Sequence, residues 1–177
     1  MSKKVLVIAS SPRRNGNSEM LADEFIAGAA AAGHEVEKVT LAGKKINFCI
    51  ACYACHNGKC CHNDDAEEIV HKMLAADVIV LATPVYFYTM CAQLKALIDR
   101  SVMVYPKITN KEFYYLMTMA ETDEKMFTGT IEALRGFAAC CPDSCEKGII
   151  AVPGVYEAGA IKSDPALAKA KNMGFNI

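Results

Sequence analysis

The sequence predicts a doubly wound α/β fold, a five-stranded parallel sheet between two layers of helices. Two observations predict it. Short, unbroken apolar runs, the mark of parallel strands covered on both faces, recur along the chain. Between them lie stripes of apolar residues at helical spacing, so the order strand-helix repeats five times and requires right-handed crossovers.

The first run, Val5-Leu6-Val7-Ile8-Ala9, is apolar throughout. Leu21, Phe25 and Ala29 then recur four apart, with Gly33 placed as a left-handed stop. The segment Glu35 to Leu41 alternates with charge, which suits an edge strand. Ile69, Val70, Met73 and Leu74 line a second helix reaching about Ala76, and Val78 to Ala82 forms the third strand. Leu94, Leu97, Ile98 and Val102 mark the third helix, Tyr114 to Met119 the fourth strand. Phe127, Ile131, Leu134 and Ala138 stripe a fourth helix before the last strand, Gly148 to Val152. Ser163-Asp164-Pro165 opens a final helix, with Gly174 as its expected stop.

Composition narrows the function classes. The 177 residues fit one domain, 1–177, in which 42–65 is a cysteine-rich insertion longer than loops usually run without a purpose. Hydrophobic residues make up 53%, yet no apolar run approaches the ~18 residues of a membrane span, so no membrane partner is expected. Formal charge is −1 without a basic cluster, which argues against nucleic acid. Only a short apolar stretch follows Met1-Ser2-Lys3-Lys4, too short for a signal peptide, and a cytoplasmic location is expected. Nine cysteines, an odd number, do not read as a disulfide framework there.

Two loops carry binding chemistry. The first, Ser10-Ser11-Pro12-Arg13-Arg14-Asn15-Gly16-Asn17-Ser18, offers hydroxyls on Ser10 and Ser18, amides on Asn15 and Asn17 and the Arg13 guanidinium. With the N–H groups of the following helix this set suits a phosphate monoester. It matches neither the dinucleotide nor the ATP glycine pattern. An ordinary polar loop with Asn17 or Ser18 as helix cap is the plainer alternative. The second loop, Thr83-Pro84-Val85-Tyr86-Phe87-Tyr88, is apolar and aromatic, and by itself reads as core. In strand order 2-1-3-4-5, strands 1 and 3 are neighbours with helices on opposite faces, so both loops border one crevice. A ligand with a phosphate at one end and a flat apolar ring at the other, FMN, satisfies both.

Cys49, Cys52, Cys55 and Cys60 give C-x2-C-x2-C-x4-C, close to a ferredoxin-type [4Fe–4S] run. Zinc, with His56 or His62 as substitute ligands, and free thiols are the alternatives. Cys61 beside Cys60 leaves the fourth donor open. Cys91 reads as core, and Cys140, Cys141 and Cys145 as structural. Asp64-Asp65 and Glu67-Glu68 read as the acidic start of a helix, and Asp99-Arg100 as a structural ion pair.

The segments SSPRRNGNSEML and TPVYFYTMCAQLKALIDR, with GVYEAGAI and Pro165-Ala166-Leu167, resemble the flavodoxin-like NAD(P)H-dependent FMN reductase family, nearest its iron–sulfur flavoprotein branch. The resemblance implies that Ser10 to Ser18 hold the FMN phosphate and that Pro84, Val85, Tyr86 and Phe87 lie along the isoalloxazine. It favours a cluster on the four cysteines and implies a homodimer or homotetramer. The implied activity passes electrons from NAD(P)H through FMN to a small-molecule or protein acceptor. A carrier exchanging electrons with ferredoxin-like proteins is the rival. Flavin carries the hard chemistry, so no catalytic side chain is expected.

Overall fold

The computed structural model describes residues 1–177. Its strands are β1 (Lys4–Ala9), β2 (Glu35–Thr40), β3 (Val78–Tyr86), β4 (Thr89–Met90), β5 (Glu112–Thr118) and β6 (Cys145–Val152). Five of them pair in parallel in the order β2-β1-β3-β5-β6, which is the expected 2-1-3-4-5 arrangement of a flavodoxin-like sheet. The sixth, β4, is an addition: it folds back antiparallel onto the end of β3.

The unbroken apolar runs serve two cores at once, because successive strand residues point to opposite faces. Leu6, Ile8, Ile79, Leu81, Phe113 and Tyr115 pack under α2 (Ala66–Ala75), α3 (Ala92–Arg100) and α4 (Thr128–Ala139). Val5, Val7, Val78, Val80, Tyr114 and Leu116 pack under α1 (Asn17–Ala31) and α5 (Ala166–Phe175). Each such aliphatic side chain contributes about 1.5–3 kcal/mol over the exposed state. The edge strand β2 shows only one fully buried residue, Val39, as its charged pattern requires.

Two helix ends differ from expectation. The third helix stops at Arg100, and Val102 lies beyond it, 43% exposed, in a short 3-10 turn; Ser101 Oγ donates to Ile98 O where the helix closes. The last helix runs through Gly174 to Phe175. A Cβ on Gly174 would sit 2.1 Å from Phe25 O, so this glycine is there for the close approach of α5 to α1 and not as a stop.

The register places the site. Ala9 of β1 pairs with Ala82 of β3, and Ser10 N donates to Ala82 O at 2.9 Å, so the segments leaving these strands start side by side. The chain then turns to α1 on one face after β1 and to α3 on the other after β3. A crevice opens between them at the sheet's carboxyl edge.

Candidate flavin and thiol sites

A cleft of about 530 Å³, open to solvent, occupies that crevice. The segments Ser11 to Ser18, Pro84 to Tyr86, Thr118 to Ala120 and Val155 to Ala158 contribute its walls. Val85, Met119 and Ala120 also floor an adjoining hollow with Phe87, Tyr88 and Glu121. One end of the combined groove therefore carries hydroxyls and a guanidinium, and the other is apolar.

At the polar end α1 begins at Asn17 with Gly16 as cap, and no side chain caps its first N–H groups. Those orphan donors and the helix dipole face the cleft. Ser18 is buried against the cleft with a hydroxyl that no protein group engages. A Cβ on Gly16 would lie 2.8 Å from Ser11 Oγ and 3.1 Å from Arg13 O, so only glycine leaves this turn its shape. Its φ is ordinary; the left-handed residue is Asn15, at φ 54°. Arg13 Nη1 donates to Tyr156 O at 2.9 Å and its guanidinium sits 5.5 Å from the Tyr156 ring. The cleft residues of this end fit a phosphate monoester.

The expected site residues divide into three groups. Arg13, Ser18, Pro84, Val85 and Tyr86 line the cleft, and Phe87 lines the adjoining hollow. Asn17 lines it too, but its amide is spent on protein. Nδ2 donates to Val155 O and Glu157 O, and Oδ1 accepts from Gly159 N and Ile161 N. Ser10 and Asn15 stand off the cleft. Ser10 Oγ donates backward to Ala82 O at 2.8 Å, and Asn15 N donates to Glu19 Oε2. Cys91 is core as expected, its Sγ 3.2 Å from Ser10 Oγ and its N–H bonded to Thr83 Oγ1, which ties the roots of both loops together.

The aromatic segment is not a loop. β3 continues through Tyr86, and Phe87 and Tyr88 form the two-residue turn into β4 with φ 48° and 63°. Such turns normally use Asn-Gly, because both positions are left-handed. Aromatic residues there store strain of order 1–3 kcal/mol each, and Phe87 is 99% exposed at the tip.

The strap Val155 to Ala158 was not among the expected site residues. The signal was present: glycines at 154 and 159 flank Tyr156, and both adopt positive φ.

The second site is the loop 42–65. All nine cysteines are free, and five of them, Cys49, Cys52, Cys55, Cys60 and Cys61, line one hollow of about 720 Å³ with His56, His62 and Arg100. Cys52 and Cys61 bring their sulfurs to 3.2 Å, but no three donors gather closely enough to enclose an ion as the loop lies. A hydrogen bond from Ala54, then one from Cys61, draws the Cys52 thiol down, while Cys61 is pushed up to about 11. The loop is tied at its base by Asp64 and Asp65. Asp64 Oδ2 accepts from Asn47 N and Nδ2 and from Arg100 Nη1 at 2.7 Å, and Asp65 Oδ2 accepts from Lys45 N. These carboxylates thus do more than open α2. The ion pair expected at Asp99-Arg100 is divided: Arg100 pairs with Asp64 inside the fold, and Asp99 pairs with Lys95 on the surface. In kind and number, the thiols fit a soft metal or iron–sulfur group. A buried Arg100 Nε without a partner beside them also fits, as a cation left at a site for anionic sulfur.

Residues 3–128 match the family model for NADPH-dependent FMN reductase. The chain is 48% identical over 99 residues to an iron-sulfur flavoprotein of Methanocaldococcus jannaschii, covering 55% of this chain and 51% of that protein. To an iron-sulfur flavoprotein of Methanosarcina thermophila it is 40% identical over 102 residues, 57% and 53% of the two chains. It spans about half the length of the curated relatives it matches. Among solved structures, an NAD(P)H:quinone oxidoreductase from Methanothermobacter marburgensis superimposes with a TM-score of 0.82 at 18% identity, over 99% of this chain and 96% of that one. RosB with bound 8-demethyl-8-formylriboflavin-5′-phosphate gives 0.76 at 14% identity, over 99% and 77%. At these identities the structural likeness speaks for the fold. No helix is long and apolar enough to cross a membrane.

Proposed function

The chain belongs to the NADPH-dependent FMN reductase family, and from that premise we propose that it binds FMN in the β1–β3 crevice and oxidises NAD(P)H through it. One observation carries the reading: a phosphate-suited helix start and an apolar, aromatic wall face each other across a single cleft. Bound FMN supplies a ring that takes a hydride from reduced nicotinamide and passes the electrons to a small-molecule acceptor.

The chain's own residues bind and position. The N–H groups of Asn17 and Ser18, the Ser18 hydroxyl and Arg13 hold the phosphate, with charge-assisted bonds stronger than neutral ones. Pro84, Val85 and Tyr86 line the ring slot together with Met119 and Ala120 from the neighbouring strand end. Phe87 covers its outer end. The strap at Tyr156, pinned by Asn17 and Arg13, closes the polar end against water. Hydride transfer needs no acid or base from the protein, so these are binding and positioning roles. Anaerobic addition of NADPH and of NADH to the FMN-loaded chain tests the reading. The flavin band at about 450 nm bleaches if it holds. A loaded chain whose band persists with both donors contradicts it.

A second reading is favoured by the thiol hollow. Cys49, Cys52, Cys55 and Cys60 would hold a [4Fe–4S] cluster, and the protein would exchange electrons with a ferredoxin-like partner. Such a cluster supplies single-electron steps. Reduction by reduced ferredoxin and not by NADPH, assayed side by side, selects this version. Either version includes a homodimer or homotetramer. Exposed Phe87, Tyr88 and Tyr156 at the cleft, with Phe48, Ile50 and Tyr53 on the thiol loop, are apolar surface that a second copy would cover.

A further inference from the structure

We infer that Arg100 selects Cys60 over Cys61 as the fourth sulfur donor of the thiol centre and, by donating to that sulfur, raises the centre's reduction potential. The inference rests on the iron–sulfur reading above and deepens it.

The two adjacent cysteines are equivalent in the sequence and different in the fold. Cys60 is half-buried, and its Sγ accepts from Arg100 Nη2 at 3.2 Å. Cys61 is exposed, and its sulfur bonds to neighbouring thiols, Cys52 at 3.2 Å first among them, and not to Arg100. A sulfur held by a fixed donor has a fixed place; an exposed one does not.

Arg100 is fixed from the opposite side. Its side chain is 1% exposed, and Nη1 donates to Asp64 Oδ2 at 2.7 Å and to Asn47 O at 3.0 Å. Asp64 is in turn held by Asn47 and by Ala66 N, at the two ends where the loop joins the fold. The planar fork therefore points one arm at the loop's base and the other at Cys60. Its Nε stays buried without a partner. An arginine serving only as an ion-pair partner gains nothing from lining a thiol hollow with an unsatisfied N–H, which is costly to bury. A lysine could not replace it, since a single ammonium cannot span carboxylate, carbonyl and sulfur in one plane.

The consequence for the centre follows from charge. Reduction adds one electron to a group already ringed by anionic thiolates. A cationic donor on one ligand sulfur withdraws charge and favours the reduced form, as hydrogen bonds to cluster sulfurs do generally.

Anaerobic reconstitution of the whole chain with ferrous iron and sulfide tests this, reading iron content, the electron paramagnetic resonance signal and the midpoint potential. Wild type, Cys60→Ser, Cys61→Ser and Arg100→Lys are compared. Cys61→Ser is expected to keep wild-type iron, signal and potential, while Cys60→Ser loses iron or changes its signal. Arg100→Lys is expected to keep iron with a reduction equilibrium constant lowered roughly tenfold, about 59 mV for one electron. Equal effects of the two serine variants, or loss confined to Cys61→Ser, overturn the inference. So does a wild-type potential in an iron-loaded Arg100→Lys protein. If Arg100→Lys does not fold, Arg100→Gln, which keeps a donor and removes the charge, takes its place, and a wild-type potential in its iron-loaded form overturns the inference equally. Wild-type chain that takes up no iron removes the iron–sulfur reading itself, a result distinct from every other outcome.

Discussion

Arg13, Ser18 and Asn17 sit within one turn of each other and have separable roles. Arg13 keeps donors for a ligand while resting on Tyr156, so its loss removes charge from the cleft without opening the core. Hydrogen bonds to charged groups are worth about 1.5–3 kcal/mol. Arg13→Ala is therefore expected to weaken FMN binding roughly ten- to a hundredfold in a fluorescence titration, with the melting temperature of the free protein lowered only slightly, since its bond to the strap is exposed. Asn17 is the reverse case. Removing its amide strands Val155 O and the N–H groups of Gly159 and Ile161, while Glu157 O keeps Ala160 N, so Asn17→Ala should destabilise the free protein by about 1–3 kcal/mol in urea unfolding. A free protein as stable as wild type would show that the strap does not depend on this amide. The sequence singled out Asn17 as a polar residue for the site, yet not the direction of its side chain. The partners that claim it lie about 140 positions away and become neighbours only when β6 joins the sheet.

At the scale of elements, the β3–β4 turn and the thiol loop are both held against local preference. Phe87 and Tyr88 occupy left-handed positions that Asn and Gly fill at little cost. The double variant Phe87→Asn, Tyr88→Gly should raise the stability of the free protein by about 1 kcal/mol or more, while FMN binding weakens as the outer wall of the slot is lost. Equal or lower stability in thermal unfolding would mean the turn carries no strain. This hairpin was illegible because Pro84 and a run of aromatics read as a loop, whereas Pro84 ends the ladder opposite Thr118 where a missing N–H matters least. Strands and helices, in contrast, were legible in number, order and buried face, although β3 and β6 run three or four residues beyond their apolar runs. Their apolar spacing is a local consequence of which face is buried.

The thiol loop's anchor gives a pH dependence. Burial pushes the Asp64 carboxyl up, but bonds from Arg100, Asn47 and Ala66 outweigh it and hold the group well below the usual carboxylate range. A carboxyl depressed in the folded state stabilises fully above its unfolded value of about 3.9, and that stability drains away as pH falls below it. Asp64→Asn leaves Arg100 buried and unpaired, so it should lose about 3–5 kcal/mol at neutral pH and show a flatter decline on acidification. Urea unfolding across that range checks both, and a variant that keeps the wild-type acid slope would assign the slope to other groups.

For the whole molecule, the strand order turns two distant segments into one site. Nothing in Ser10 to Ser18 or in Thr83 to Tyr88 alone specifies a flavin. Placing strands 1 and 3 side by side, with helices leaving on opposite faces, makes the pairing unavoidable. That much could be read from the alternation of elements. The wall at Val155 to Ala158 follows the end of β6, and its part in the cleft depends on strap geometry that no periodicity encodes. The measurement that bears most directly on the cleft is an equilibrium titration of the purified chain with FMN, run beside Arg13→Ala, Ser18→Ala and Asn15→Ala. One FMN per chain, bound more weakly by the first two variants and equally well by the third, is the expected result. No saturable binding, or an affinity indifferent to both Arg13 and Ser18, would contradict the placement of the flavin phosphate at the start of α1.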